Sequence, residues 1–121
     1  MKILVIDDEG IIRTLARQIL ERDGHYVVVA ESGYEGLKLF SNLYEEIAII
    51  LVDLRMEGLS GIETIRRVRE IRPDVPCIIS SGDGAQRDDI PEDLNHNIWF
   101  LKKPYRPGEL SGIVNTALVG K

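Results

Sequence analysis

The stretch KILVIDDEG, residues 2–10, carries an Ile/Leu/Val run straight into Asp7, Asp8 and Glu9. An apolar run without alternation is the mark of a strand covered on both faces, as in a parallel sheet. Adjacent carboxylates at its end repel, by about 4 kcal/mol per pair at 4 Å when the effective dielectric is near 20. Either water in an ordinary loop or a cation in a site must offset that repulsion. Four more segments of the same kind follow: YVVVA (26–30), IAIILV (47–52), CIIS (77–80) and IWFL (98–101). Each predicts a short, doubly covered strand.

Helical patterns separate these runs. Ile12, Leu15, Ala16 and Ile19 recur at helical spacing over 10–22, and Asp23-Gly24 is a stop signal. Leu37, Phe40 and Leu43 predict a helix over 33–44. Ser60 is a candidate N-cap with Glu63 in the reciprocal capping-box place, opening a helix that carries Ile62, Ile65 and Val68 and ends before Pro73. The last helix, over about 107–118, aligns Leu110, Ile113, Val114, Ala117 and Leu118 behind Pro107. Residues 83–97 are different: Pro91, two Asn and little periodicity predict a short or distorted fourth helix. Strands alternating with helices imply right-handed crossovers and helices on both faces of the sheet. Ligands of such folds bind beyond the carboxyl ends of the strands.

Composition bounds the reading. At 121 residues and 13.6 kDa the chain is expected to form one domain over 1–121. It is 44% hydrophobic and 29% charged, which fits a soluble globular protein. A net charge of −5 speaks against direct nucleic-acid binding by this domain or attraction to anionic lipid. The lone cysteine, Cys77, lies in an apolar run and reads as core in a reducing compartment. No signal-like segment precedes MKILVI and no apolar stretch approaches membrane-spanning length, so a cytoplasmic location is expected.

The predicted strand ends hold Asp7 and Asp8, then Asp53, then Ser80, Ser81 and Gly82, and finally Lys102, Lys103 and Pro104. A lone Asp after a strand is commonly a turn former. Three acids, a hydroxyl and an ammonium converging on one sheet edge suit a hard cation that keeps several waters, which describes Mg²⁺ better than a caged Ca²⁺ or a thiolate-bound Zn²⁺.

At these residues the chain resembles the receiver domain of two-component response regulators over essentially its whole length. IDDE (6–9) is similar to the family's acidic pair, ILVDLRMEGLSG (50–61) to the segment with its phosphoaccepting aspartate, PCIISSG (76–82) to its switch hydroxyl, and FLKKPY (100–105) to its Lys-Pro signature. The resemblance implies a flavodoxin-like, doubly wound, five-stranded parallel sheet in the order 2-1-3-4-5. It implies that Asp53 accepts a phosphoryl group from a phosphohistidine. It further implies that Asp7, Asp8, Asp53 and the Arg55 main-chain carbonyl hold Mg²⁺, that Ser81 and Lys103 engage the phosphoryl oxygens, and that Phe100 changes rotamer when Ser81 moves. A sensor histidine kinase or phosphotransfer protein and a downstream effector protein or domain would be the partners, with the oligomeric state open. Such a protein is a switch rather than an enzyme, apart from its own phosphotransfer and dephosphorylation.

Two other readings bear on the same residues. A receiver-like binding module regulated without phosphorylation would not need the full polar set. A Mg²⁺-dependent phosphatase normally has a second acid two residues after its nucleophile, where this chain has Arg55. The chain departs from the family pattern at Glu57, where Pro is usual, at Ser60, where an acid or amide is usual, and at Ser81, where Thr is commoner. Arg55 and Asp83 are expected to pair across the route of attacking water. Glu9 reads as a helix-terminal charge, Arg66, Arg69 and Arg72 as a solvated stripe, His25 and His96 as surface residues, and Trp99 and Tyr105 as packing.

Overall fold

The computed structural model describes residues 1–84 and 86–119; residues 120 and 121 of the expected 1–121 domain, and Ala85 of the irregular stretch, lie outside the described residues. Strands β1 (Lys2–Ile6), β2 (Tyr26–Ala30), β3 (Ile47–Asp53), β4 (Cys77–Ser81) and β5 (Ile98–Lys102) form one sheet in the order β2-β1-β3-β4-β5. Every pairing is parallel, and β1, β3 and β4 lie inside the sheet. This is the expected flavodoxin-like arrangement, with strand bounds within a residue of those read from the sequence.

Helices α1 (Gly10–Arg22) and α4 (Pro107–Val119) cover one face, packing Ala16, Ile19, Leu20, Leu110 and Val114 on Ile3, Val5, Ile49 and Leu51. On the other face α2 (Gly33–Leu43) and α3 (Gly61–Ile71) bury Phe40, Ile65 and Val68 against Leu4, Ile6, Ile50 and Val52. Period-2 alternation along each strand therefore sends one file of side chains to each layer. The sheet is apolar on both faces for that reason.

The helix termini follow local chemistry. Gly24, at φ +93°, releases the chain after α1 in a conformation that glycine adopts at little cost. The Ser60 hydroxyl accepts from the Glu63 amide at 3.1 Å, but the Glu63 carboxylate turns to Arg67 at 3.3 Å. The expected capping box is thus half formed. Cys77 is fully buried, and burial pushes its thiol up to about 11.

Between β4 and β5 the described residues form no α-helix, only two 3-10 turns, Arg87–Asp89 and Glu92–Leu94. Ile90 and Leu94 are the apolar anchors that tie this segment to the core. Pro91, between the turns, has no N–H to give a helix. The rest of the anchoring comes from a residue expected to face solvent. Arg69 is only 6% exposed and donates to the carbonyls of Val75 (2.9 Å), Leu94 (3.0 Å) and Asn97 (3.1 Å). Arg66 pairs with Asp93 at 2.7 Å, and Arg72 donates to the carbonyls of Tyr44 and Ile47. The arginine stripe is therefore not a solvated face but the clamp on two loops. Periodicity could not reveal this, because the acceptors are backbone oxygens of irregular segments. His96 is exposed as expected, whereas His25 is half-buried.

Candidate functional site

Three strand ends build the site. The Asp7 amide donates to the Ala30 carbonyl at 3.1 Å, holding the end of β1 beside β2. The Arg13 guanidinium donates to the Asp7 carbonyl at 2.7 Å, and Asp7 Oδ1 accepts from the Glu9 amide at 2.9 Å as the chain turns into α1. Asp7 is thereby fixed and buried, while Asp8 is exposed. Asp53 is the last residue of β3, and the next amide, Leu54, donates to the Ser80 carbonyl at 2.9 Å. Gly61 permits α3 to start hard against this turn, since a Cβ there would overlap the Asp53 carbonyl oxygen. Lys103 follows β5, its amide held by the Ser81 carbonyl at 2.8 Å.

Alternation aims these side chains. Asp7, Asp53 and Lys103 prolong the files Ile3–Val5, Ile49–Leu51 and Trp99–Leu101 that face α1 and α4. One carboxylate oxygen from each of Asp7, Asp8, Glu9 and Asp53 lies within 4.8 Å of the others. Lys103 Nζ reaches into this cup, 2.8 Å from Asp7 Oδ2, 3.1 Å from Glu9 Oε1 and 3.4 Å from Asp53 Oδ1. The expected residues therefore converge, and Glu9 joins them.

Burial and the Asp7 charge push the Asp53 carboxyl up to about 6, against the opposing pull of Lys103 and of the Arg55 amide that hydrogen-bonds it. Burial disfavours the Lys103 ammonium, but its hydrogen bonds and charge attraction to Asp7, then to Glu9 and Asp53, more than offset this and hold it above its ordinary value. Tyr105, buried beside them, is driven to about 12 by burial and by the Asp7 charge, and its hydroxyl has no partner among the described residues. The cup is thus a place where negative charge is crowded out of water and only partly neutralised.

An open cleft of about 540 Å³ leads to Asp53, lined by Glu9, Arg55, Ser81, Asp83 and Lys103 among others. Ser81 is buried and its Oγ accepts from the Asp83 amide at 3.1 Å. Ser80, which prolongs the Ile78 file on the opposite side of β4 from Ser81, does not line the cleft. Arg55 Nε and Asp83 Oδ2 meet at 2.9 Å across the mouth, both well exposed. That is the expected pairing. Phe100 is half-buried on the α2/α3 side of the sheet, opposite Ile79 in register and diagonal to Ser81. The Arg87 guanidinium stands over its ring, 5.8 Å from the centroid.

The acceptor role of Glu9 toward Lys103 was not legible, since 94 residues separate the two and a single acid after an acidic pair has no distinctive spacing. Hard oxygen donors, two of them (Asp7 and Asp53) buried at strand ends, fit a divalent cation with retained waters. A lone ammonium beside them fits an anion bound to that cation.

A family model described as response regulator receiver domain matches residues 3–115. The chain is 31% identical over 116 residues to the transcriptional regulatory protein GlrR of Escherichia coli K12, covering 96% of this chain and 26% of that protein. It is 35% identical over 109 residues to the transcriptional regulatory protein ResD of Bacillus subtilis 168, covering 90% and 44%. The chain therefore spans less than half the length of these relatives. The crystal structure of a response regulator receiver domain protein from Clostridium thermocellum superposes with a TM-score of 0.87 at 34% identity, covering 98% of this chain and 94% of that one.

Proposed function

The chain belongs to the response regulator receiver domain family, a family of signal-transduction proteins, and from that premise we propose that Asp53 is its phosphoacceptor. The single observation behind this reading is the cup itself, in which Lys103 lies within 3.4 Å of an Asp53 carboxyl that is otherwise buried among acids. In the transfer an Asp53 oxygen attacks phosphorus as the P–N bond to a donor histidine breaks, giving an acyl phosphate and free imidazole. Asp53, pushed to about 6, is ionised and nucleophilic at neutral pH. Its approach to an anionic phosphoryl group is opposed by charge, so the reaction is governed by neutralisation and positioning.

Asp7, Asp8, Asp53 and the Arg55 main-chain carbonyl would hold Mg²⁺. Bound there, Mg²⁺ would supply the positive charge that screens nucleophile from phosphoryl oxygens. Lys103 can trade its Asp7 contact for a phosphoryl oxygen, since its ammonium lies between Asp7 and Asp53. Ser81 Oγ, lining the same cleft, is the donor for another. Drawing Ser81 inward would free the space beside it for Phe100, which biases two packings of the β4–β5 face. The Arg55–Asp83 pair across the cleft mouth would restrict the approach of water to the acyl phosphate.

In this reading residues 1–121 form one receiver domain, a switch that carries out phosphotransfer and dephosphorylation on itself. A sensor histidine kinase or phosphotransfer protein would supply the phosphoryl group, and an effector protein or domain would read the altered face. Among the described residues no helix is long and apolar enough to cross a membrane, and a cytoplasmic location suits such partners. No observation favours a phosphate-independent binding module.

The test is to incubate the protein with a small-molecule phosphodonor, with and without Mg²⁺, and to weigh the intact chain. One acid-stable, base-labile phosphoryl adduct that needs Mg²⁺ and disappears in Asp53→Asn is expected. An adduct that persists in Asp53→Asn overturns the assignment.

A further inference from the structure

The segment that stands where a fourth helix was expected is connected to the sheet at one position that bears on Phe100. Arg87, in the first 3-10 turn, donates to Asn95 Oδ1 at 3.0 Å and to the Ile98 carbonyl at 3.4 Å, and these bonds set its guanidinium over the Phe100 ring. The ring is half-buried against the α2/α3 core layer, so one side meets protein and the other meets this cation. A cation over an aromatic face is attracted by the ring quadrupole, and the attraction is lost when the ring turns away. We propose that Arg87 is a positioning residue that latches Phe100 in the resting conformation and so sets the threshold of the switch. This inference rests on the reading of Asp53 as phosphoacceptor and adds its regulation.

The consequence is thermodynamic. Ser81 and Phe100 lie diagonally on one sheet face, so a ring that turns toward the space beside Ser81 leaves the guanidinium. A contact made only in the resting state lowers the population of the other state, and with it the affinity of anything that binds that state better. Removing the contact therefore tightens binding of a phosphoryl group or its mimic. The strength of an exposed cation–π pair corresponds to a change of about 2- to 5-fold. Loss of a merely structural side chain would weaken binding or leave it unchanged, so the direction of the effect is diagnostic. The same latch makes the irregular 86–97 segment a part of the signalling face, because a released Arg87 keeps only its bonds to Asn95 and Ile98.

The test uses beryllofluoride with Mg²⁺, a tetrahedral mimic of an acyl phosphate, titrated onto the whole chain and followed by fluorescence of Trp99, its only tryptophan. Arg87→Gln, which keeps an amide donor for Asn95, is expected to bind about 2- to 5-fold more tightly than wild type. Asn95→Ala, which loosens the turn without removing the cation, is expected to show a smaller gain. In a Phe100→Leu background, Arg87→Gln should change nothing, because the ring it acts through is absent. Unchanged or weaker binding by Arg87→Gln, or a gain that persists without the ring, overturns the latch. Wild-type binding that is unaffected by Asp53→Asn overturns instead the phosphoacceptor reading beneath it.

Discussion

Asp53→Asn should stabilise the metal-free protein at pH 8. The carboxyl is 6% exposed, and burial with the Asp7 charge holds it at about 6 against an ordinary 3.8. At 1.36 kcal/mol per pKa unit this displacement corresponds to about 3 kcal/mol of folded-state cost for the charged form, already net of the attraction to Lys103. Asparagine matches the neutral acid in shape and carries no charge, so most of that cost should be recovered. About 2–3 kcal/mol, or about 8–12 °C in Tm for a chain of this length, is expected. The pH dependence fixes the sign. The folded state binds the Asp53 proton more tightly than the unfolded chain, so the stability contributed by this group is complete below about pH 3.8 and is lost as pH rises through about 6. The advantage of asparagine should therefore be absent near pH 3.8 and complete above about pH 7. Urea or thermal denaturation of both proteins at pH 4, 6 and 8 in the presence of a chelator measures it. Added Mg²⁺ should narrow the gap at pH 8 by stabilising the wild type through mass action and the variant less. A variant no more stable than wild type at pH 8, or one equally advantaged at pH 4, would refute the view that Asp53 is held charged against its surroundings.

Other residues give independent tests. Arg55→Ala should shorten the half-life of the phosphorylated chain several-fold by opening the pair with Asp83 at the cleft mouth, and time-resolved intact mass would show an equal half-life if the pair does nothing. Arg69→Met should cost about 3–5 kcal/mol, because it strands the Val75, Leu94 and Asn97 carbonyls in a buried site; a loss under about 1 kcal/mol in urea denaturation would mean that water replaces the guanidinium freely. Gly61→Ala should destabilise by about 1–3 kcal/mol and lower the yield of the phosphoryl adduct, since the new Cβ displaces the Asp53 carbonyl; unchanged phosphorylation would show that the α3 start and the acceptor are uncoupled.

What the sequence made legible follows from the range over which each interaction is encoded. Continuous Ile/Val runs give strands because both faces of every strand are covered, and Asp7, Asp53 and Lys103 share a cup because strand period and parallel order bring their files to one edge. These are regularities of the backbone, and they extend from one residue to the next. Arg69 was misread, and the contact of Glu9 with Lys103 was missed although Glu9 does stand at the start of α1, because their partners are set by the course of irregular chain. Arg69 is buried by carbonyls of Val75, Leu94 and Asn97 that no helical pattern predicts, and Glu9 meets Lys103 only once β5 has been placed across the sheet. The distorted 83–97 stretch joins the two cases. Its lack of periodicity predicted a short or distorted helix, where the described residues carry only two 3-10 turns, yet the arginines that replace helical packing sit elsewhere in the chain, on α3, or point back to β5 from the first 3-10 turn. A receiver that gives up a helix on its signalling face still needs that face to be held in one resting arrangement. Here directional bonds from guanidinium groups to carbonyl oxygens and to the Phe100 ring serve that end in place of a buried apolar stripe. Such contacts have discrete made and broken states, which is the property that a two-state readout requires.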